Sequence, residues 1–420
     1  VLIFDWKRNY RDLLALDEFK DIEIYSISRN IDPFTFNPLI PPEGTNPKTW
    51  LKKLIEVIAH AYLCANGVMY LLQRALDSVY EEAGIYAGNV EKWPTFRDVL
   101  EKARGHDARG REAGWLSSTL RALASLCFGD MDTLVNTGEN KNLEHLLSKT
   151  VILELDALTQ QDKIFFIESL LLWIHHYRMM EKKRETFKHA ILIEEAHHIF
   201  SGERRSLVGG QSVMEITFRE IREFGESLII LDQHPSQISL PALGNTYCTI
   251  CMNLKHRTDI NAMPQCLLLD RERGLLGTLK VGQAIVKLQG RIAQPFQIEL
   301  PEFPVEKGRI TDNCIKEHMQ HLAPALPEED FFTNGSGTKF KVKEISETEM
   351  AFLKDIEEHP DSGVAARYER LGLSVRQGQK LIERLFEQDL IEQKLETTNT
   401  GRMRVIRLTE KGKIALSRGG

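Results

Sequence analysis

The sequence predicts an α/β protein: a parallel sheet flanked by helices, interrupted by an all-helical insertion and followed by a small module of three helices and a hairpin. Three observations carry this. Short aliphatic runs ending in polar residues recur along the chain, and helical segments alternate with them, which is the pattern of a largely parallel sheet. Residues 49–150 show apolar residues almost only at helical spacing. Residues 344–420 combine helical periodicity, from Met350 to Ile356, with a closing pair of strands and read as a separate unit.

The 420 residues leave room for two or three domains. The 42% hydrophobic and 27% charged shares are those of a globular protein. A net charge of −6 excludes a uniformly basic nucleic-acid binder, so any DNA contact must come from a local patch or a lined channel. No apolar run approaches the ~20 residues of a membrane span, and we expect neither a membrane anchor nor a signal peptide. Six scattered cysteines point to reduced thiols and a cytoplasmic location. Cys248 and Cys251 form a C-x-x-C without a second pair, and read as part of a core strand rather than a zinc or redox site.

In order, Val1-Leu2-Ile3-Phe4-Asp5 is a strand ending in an acid, and the chain reads as a fragment because it opens inside an element. Asp21–Ile27 alternates with period two, and a Pro-rich loop follows to Pro47. The first part of the α/β core is thus residues 1–48, and the insertion is 49–150. Within the insertion, Thr95 with Asp98 forms a helix-capping pattern. The core resumes over 151–305 with strands at Val151–Asp156, Ala190–Glu195, Ser227–Pro235, Thr249–Leu254 and Gly282–Leu288, all expected in the one set. A long helix, Gln160–Lys183, and a shorter one, Val213–Phe224, lie between them. Residues 306–343 read as a covering segment and linker.

Residues 344–420 have the order of a winged helix-turn-helix: three helices, the third capped by Ser374, then two strands joined at Thr398–Gly401. Arg376, Gln377, Gln379 and Lys380 open the third helix, the part that enters a major groove, and Arg402 and Arg404 on the hairpin would reach phosphates. Acids and bases nearly balance in this module, so protein docking is the other reading.

The stretch the chain is organised around is Ala190-Ile191-Leu192-Ile193-Glu194-Glu195-Ala196-His197-His198. Open α/β sheets hold ligands at the C-terminal mouths of their strands. Adjacent carboxylates there suit a nucleotide: one holds Mg²⁺ through its water shell, and the next orients or deprotonates a hydrolytic water. A strand running into a solvated helix start fits the same residues, since Glu is favourable in a first turn. Two other strand ends are also polar, Asp5 with Lys7 and Asp232 with Gln233, and a helix bearing Arg219 and Arg222 precedes the last.

This constellation resembles the HerA/FtsK group of ring ATPases, RecA-like motors that pump duplex DNA, and HerA more closely than FtsK. The residues that carry the resemblance are Ile3-Phe4-Asp5-Trp6-Lys7, Ile193-Glu194-Glu195-Ala196-His197, Arg222-Glu223-Phe224-Gly225 and Asp232-Gln233-His234-Pro235-Ser236, and it covers about 1–45 and 151–300. It implies that Glu194 acts on Mg²⁺, that Glu195 polarises the attacking water, and that Gln233 senses the γ-phosphate. Arg222, with Arg219 as second candidate, would be an arginine finger reaching the neighbouring subunit. Surface pairing with Glu215, Glu220, Glu223 or Glu226 is the other reading of these arginines. Asp5 and Lys7 would lie at the nucleotide. His234 stands where the family often has Arg.

The implied cofactors are ATP and Mg²⁺, and the implied partners are duplex DNA and further copies of the chain in a hexameric ring. No G-x-x-x-x-G-K-[ST] occurs; Gly209-Gly210-Gln211-Ser212 and Gly335-Ser336-Gly337-Thr338-Lys339 lack its spacing. In the family the phosphate-binding loop precedes the strand that matches Val1–Asp5, so it is expected upstream of Val1. A conjugative coupling ATPase is similar but normally carries a membrane anchor. The other class is a non-catalytic DNA-binding scaffold that recruits a partner such as a nuclease.

Overall fold

The structure is a computed structural model that describes residues 1–27, 34–140, 143–181, 184–201, 213–269, 272–322, 331–333, 339–341, 347–359, 362–387, 390–398, 401–409 and 416. The two glycine-rich pieces, Gly209–Ser212 and Gly335–Lys339, fall outside these residues except for Lys339. The chain divides into two units, Val1–Leu322 and Ala323–Gly420.

In the first unit, β1 (Leu2–Asp5), β2 (Glu23–Ser26), β3 (Val151–Glu154), β4 (His189–Ile193) and β5 (Glu226–Ile230) form a five-stranded sheet in the order β2-β3-β1-β4-β5. Every pairing is parallel. β1 and β3 are buried at all positions, as strands covered on both faces must be. Register aligns the ends: Phe4 faces Ile193, and Ile193 faces Ile230. The residues that follow each strand therefore emerge side by side.

Among its described residues the insertion holds helices and no strand: α1 (Pro47–Tyr62), α2 (Asn66–Glu82), α3 (Phe96–Arg104), α4 (Arg111–Leu126), α5 (Gly129–Val135) and α6 (Leu143–Leu146). Asn46 caps α1 by accepting the Thr49 N–H at 3.0 Å, with Pro47 at the first helical position where its missing N–H costs nothing. Asp98 accepts the Thr95 N–H at 2.6 Å, as the sequence pattern implies. α7 (Gln160–Met180) joins insertion and sheet. It is buried at almost every position between Asp162 and His176, which marks a helix packed on opposite sides. Phe166 meets Phe4 of the sheet at 6.3 Å between ring centroids, and His176 meets Trp50 of α1 at 5.4 Å.

The two edges of the sheet are finished differently. The segment expected to cover and link holds a helix, Asp312–Leu322, that lies against β2 through Ile315 and Met319. His318 Nε2 is 2.7 Å from the Ile22 carbonyl, and Arg11 ties the helix down through Asp312 at 2.8 Å and Glu154 at 2.7 Å. β5, at the other edge, has no further strand beside it among the described residues. Ile229 within it and Leu231 just after it are 44% and 42% exposed.

The strands expected at 249–254 and 282–288 do not extend this sheet. β6 (Cys248–Cys251), β7 (Gln283–Leu288) and β8 (Phe296–Glu299) form a separate antiparallel sheet. β6 is its edge strand, so Cys248 is exposed and only Cys251 is buried; both thiols are free. The second unit contains helices Glu347–Glu358, Val364–Arg370 and Val375–Glu387, then paired antiparallel strands Ile391–Thr398 and Gly401–Leu408. Its core joins Phe352, Leu353, Ile356, Leu385, Leu390 and Ile406.

Candidate functional site

The site is built where β1, β4 and β5 end. Glu194 and Glu195 follow β4 directly, and Glu195 adopts the left-handed conformation (φ 50°, ψ 45°). A non-glycine residue there is uncommon and persists when its surroundings hold it. Here the holding groups come from the loop after β1. Glu194 accepts from the Trp6 N–H at 3.0 Å and from Asn9 Nδ2 at 3.1 Å, while Lys7 Nζ reaches Glu195 Oε1 at 2.5 Å. The Lys7 ammonium is pushed above its ordinary pKa by that hydrogen bond.

Asp5 departs from the expectation of a nucleotide contact. It is fully buried, and its carboxylate accepts the N–H groups of Lys7 (3.1 Å), Asn9 (2.9 Å) and Tyr10 (3.1 Å). Burial, with Glu194 nearby, drives its pKa up against those three bonds. Its work is to fold the loop that carries Trp6, Lys7 and Asn9.

Asp232, beyond β5, accepts from the His197 N–H at 2.7 Å and lies 2.8 Å from His197 Nδ1. That bond lifts the His197 pKa; Asp232 stays below its usual range, because His197 and the His234 N–H together outweigh its burial. His197 Nδ1 is also 3.8 Å from Glu195. His197 thus bridges the acid pair and the β5 mouth. Sequence reasoning missed this role and that of Asn9, although His197 was visible two residues past Glu195. Gln233 is exposed beside Asp232 at the same mouth.

The arginines are not brought to this mouth. α8 (Val213–Glu220) and the 3₁₀ turn Ile221–Phe224 precede β5, so exposed Arg219 and Arg222 lie toward its opposite end. Glu226 does not pair with them: it is buried against Arg178 and His189. Gly225, at φ 92°, has a physical reason to be glycine, since a Cβ would sit 2.3 Å from the Thr186 carbonyl. In the second unit, Gln377 is exposed, but its Oε1 accepts the Ser374 N–H at 3.1 Å in a capping box. Lys380 is exposed, whereas the side chains of Arg376, Arg402 and Arg404 lie outside those described.

Glu194 and Glu195 are hard oxygen donors of the kind Mg²⁺ takes, and no dedicated cage of three or more ligands exists among the described residues. One or two carboxylates completed by water and phosphate is the Mg²⁺ mode. The acids therefore fit the cation, but no segment of this sequence has the phosphate-cradling spacing. Among the described residues no helix is long and apolar enough to cross a membrane.

No protein-family model matches the sequence, and no curated protein matches it. Solved structures do. VirB4 of Thermoanaerobacter pseudethanolicus superposes with a TM-score of 0.54 at 16% identity, covering 72% of this chain and 82% of that one. The bacterial conjugative coupling protein TrwB, in its ΔN70 form, gives 0.52 at 10% identity over 74% and 80%. TrwB has been solved with the ATP analogue ADPNP and with ADP and Mg²⁺. At these identities the likeness is one of fold: this chain shares the RecA-like α/β architecture of VirB4 and TrwB.

Proposed function

We propose that this chain is the hydrolytic part of an ATP-driven duplex-DNA translocase, a ring ATPase of the HerA/FtsK group and of HerA type within it. The observation that carries the reading is the meeting of Glu194, Glu195 and Asp232 at adjacent mouths of a parallel sheet, with His197 between Glu195 and Asp232 and Lys7 on Glu195. The shared fold with TrwB, which binds ATP analogues, supports it.

In this reading Glu195 takes the proton of the attacking water, once its Oε1 is released by Lys7. Glu194, oriented by Trp6 and Asn9, would hold Mg²⁺ through water, and the cation would supply charge neutralisation at the phosphates. Gln233, exposed at the neighbouring mouth, senses occupancy. Exposed Arg222, at the far end of β5, would serve the site of the next subunit in a homo-oligomeric, hexameric ring. The phosphate-binding loop belongs on residues preceding Val1, and the free edge of β5 offers its strand a place in the sheet. The C-terminal unit would be a winged helix contacting DNA through Arg376, Lys380, Arg402 and Arg404.

The lack of G-x-x-x-x-G-K-[ST] in these residues favours a second reading, a DNA-binding scaffold that recruits a partner such as a nuclease. One experiment separates the two. In protein that includes the sequence before Val1, Glu195→Gln should cut ATP turnover by about 10²–10⁴, the usual worth of a general base, while ATP binding persists. Unchanged turnover removes Glu195 from the base role, and no turnover in the parent protein selects the scaffold.

A further inference from the structure

A string of polar contacts leaves the acid pair and ends on an exposed basic turn that hydrolysis does not use. His197 joins Asp232 at 2.8 Å, the Asp232 carboxylate accepts the His234 N–H at 2.6 Å, and His234 Nδ1 lies 3.6 Å from Asp259. Asp259 is 3% exposed and accepts from the Ser236 N–H at 3.0 Å and the Ser236 hydroxyl at 2.6 Å. It belongs to the short helix Arg257–Ala262. The residues before it, Lys255 and His256, and Arg257 itself are therefore pinned to the β5 mouth while their side chains stay exposed.

A second segment lies alongside. Asn253 Nδ2 donates to the Leu279 carbonyl at 2.7 Å, and the next residue, Lys280, is exposed. Neither 252–258 nor 277–283 contains an acid. Among the described residues, Lys255, Arg257 and Lys280 have no ion-pair partner. In a chain whose net charge is −6, exposed cations gathered with only the buried Asp259 beside them, itself engaged by Ser236 and His234, repel one another, which an external anion would relieve.

We propose that Lys255, His256, Arg257 and Lys280 form a contact for nucleic-acid phosphates, held by Asp259 against the strand mouth. Exposed side chains on a turn suit a charged backbone passing over them; a small nucleotide would need walls. The proposal takes only the class of polyanion from the functional reading above.

The test is binding of a labelled DNA duplex to the full chain across a salt series, without ATP. The combined variant Lys255→Gln, Arg257→Gln, Lys280→Gln should flatten the slope of log K against log salt by about 2.7, three contacts at about 0.9 each. The control Lys307→Gln, Arg309→Gln, also exposed, should leave the slope as it was. An unaltered slope in the first variant overturns the proposal, as does an equal change in the control or a parent chain that binds no duplex. Because no hydrolysis is read, failure here and failure of the Glu195 experiment are separate results.

Discussion

Two carboxylate–cation networks lie at opposite ends of the same strands, and they differ in accessibility rather than in residue type. At the N-terminal end, Glu226 is 1% exposed and is clamped by Arg178 Nε at 2.6 Å and His189 Nδ1 at 2.8 Å. Burial pushes its pKa up, but the bonds from His189 and Arg178 win and hold it below the usual range. At the C-terminal end, Glu195 sits on left-handed backbone and its partner Lys7 is 55% exposed. A sealed network can act only as a staple. A half-open one can exchange partners with something that arrives from solvent.

The largest expected effect tests the staple. Glu226→Gln leaves the buried Arg178 with only the part-exposed Glu181 as counter-charge and should cost up to about 3–5 kcal/mol, read as a shift in the chemical-denaturation midpoint. A loss below about 1 kcal/mol would erase the contrast, since that is the range of exposed pairs. Glu195→Gln is the counterpart. Its stability change should stay within about 1 kcal/mol, and a loss on the scale of Glu226 would make the Lys7 pair structural.

Acid sharpens the same contrast with opposite signs. Burial, reinforced by Lys53, holds His175 down to about 3 and His176 to about 4, from an ordinary 6.5. Between pH 6.5 and about 4 the unfolded chain therefore binds protons that the folded chain refuses, so stability falls as pH drops through that window. His197 works the other way: Asp232 raises its pKa, so its contribution is complete below 6.5 and is lost as pH rises through the raised value. Denaturation midpoints at pH 7 and pH 5 should fall toward acid, and fall more steeply in His197→Gln. A shallower fall in that variant would show that the Asp232 pair contributes nothing of the kind.

The parallel strands, the helical insertion and the polar mouths were legible in the sequence, because aliphatic runs ending in Asp5, Glu194 and Asp232 report both burial and direction. What was hidden has physical causes. Residues 248–251 and 283–288 are as apolar as parallel strands, and composition alone does not carry pairing direction, so their antiparallel sheet was missed. The covering helix was obscured by Pro301 and Pro304, although Ile315 and Met319 already stood four residues apart. Asp5 looked like a ligand since its position is that of one; only its burial and its three N–H donors reveal that its oxygens are engaged by the loop. His197 carried a readable signal that was passed over for the acids before it.

The bare side of β5 has a consequence for handling the protein. Among the described residues no strand pairs the outer side of β5, and an edge bearing solvent-facing Ile229 is a template for strand addition by any neighbour. At high concentration, two such chains should join edge to edge and seed precipitates, whereas Ile229→Lys should keep the solution clear in light scattering.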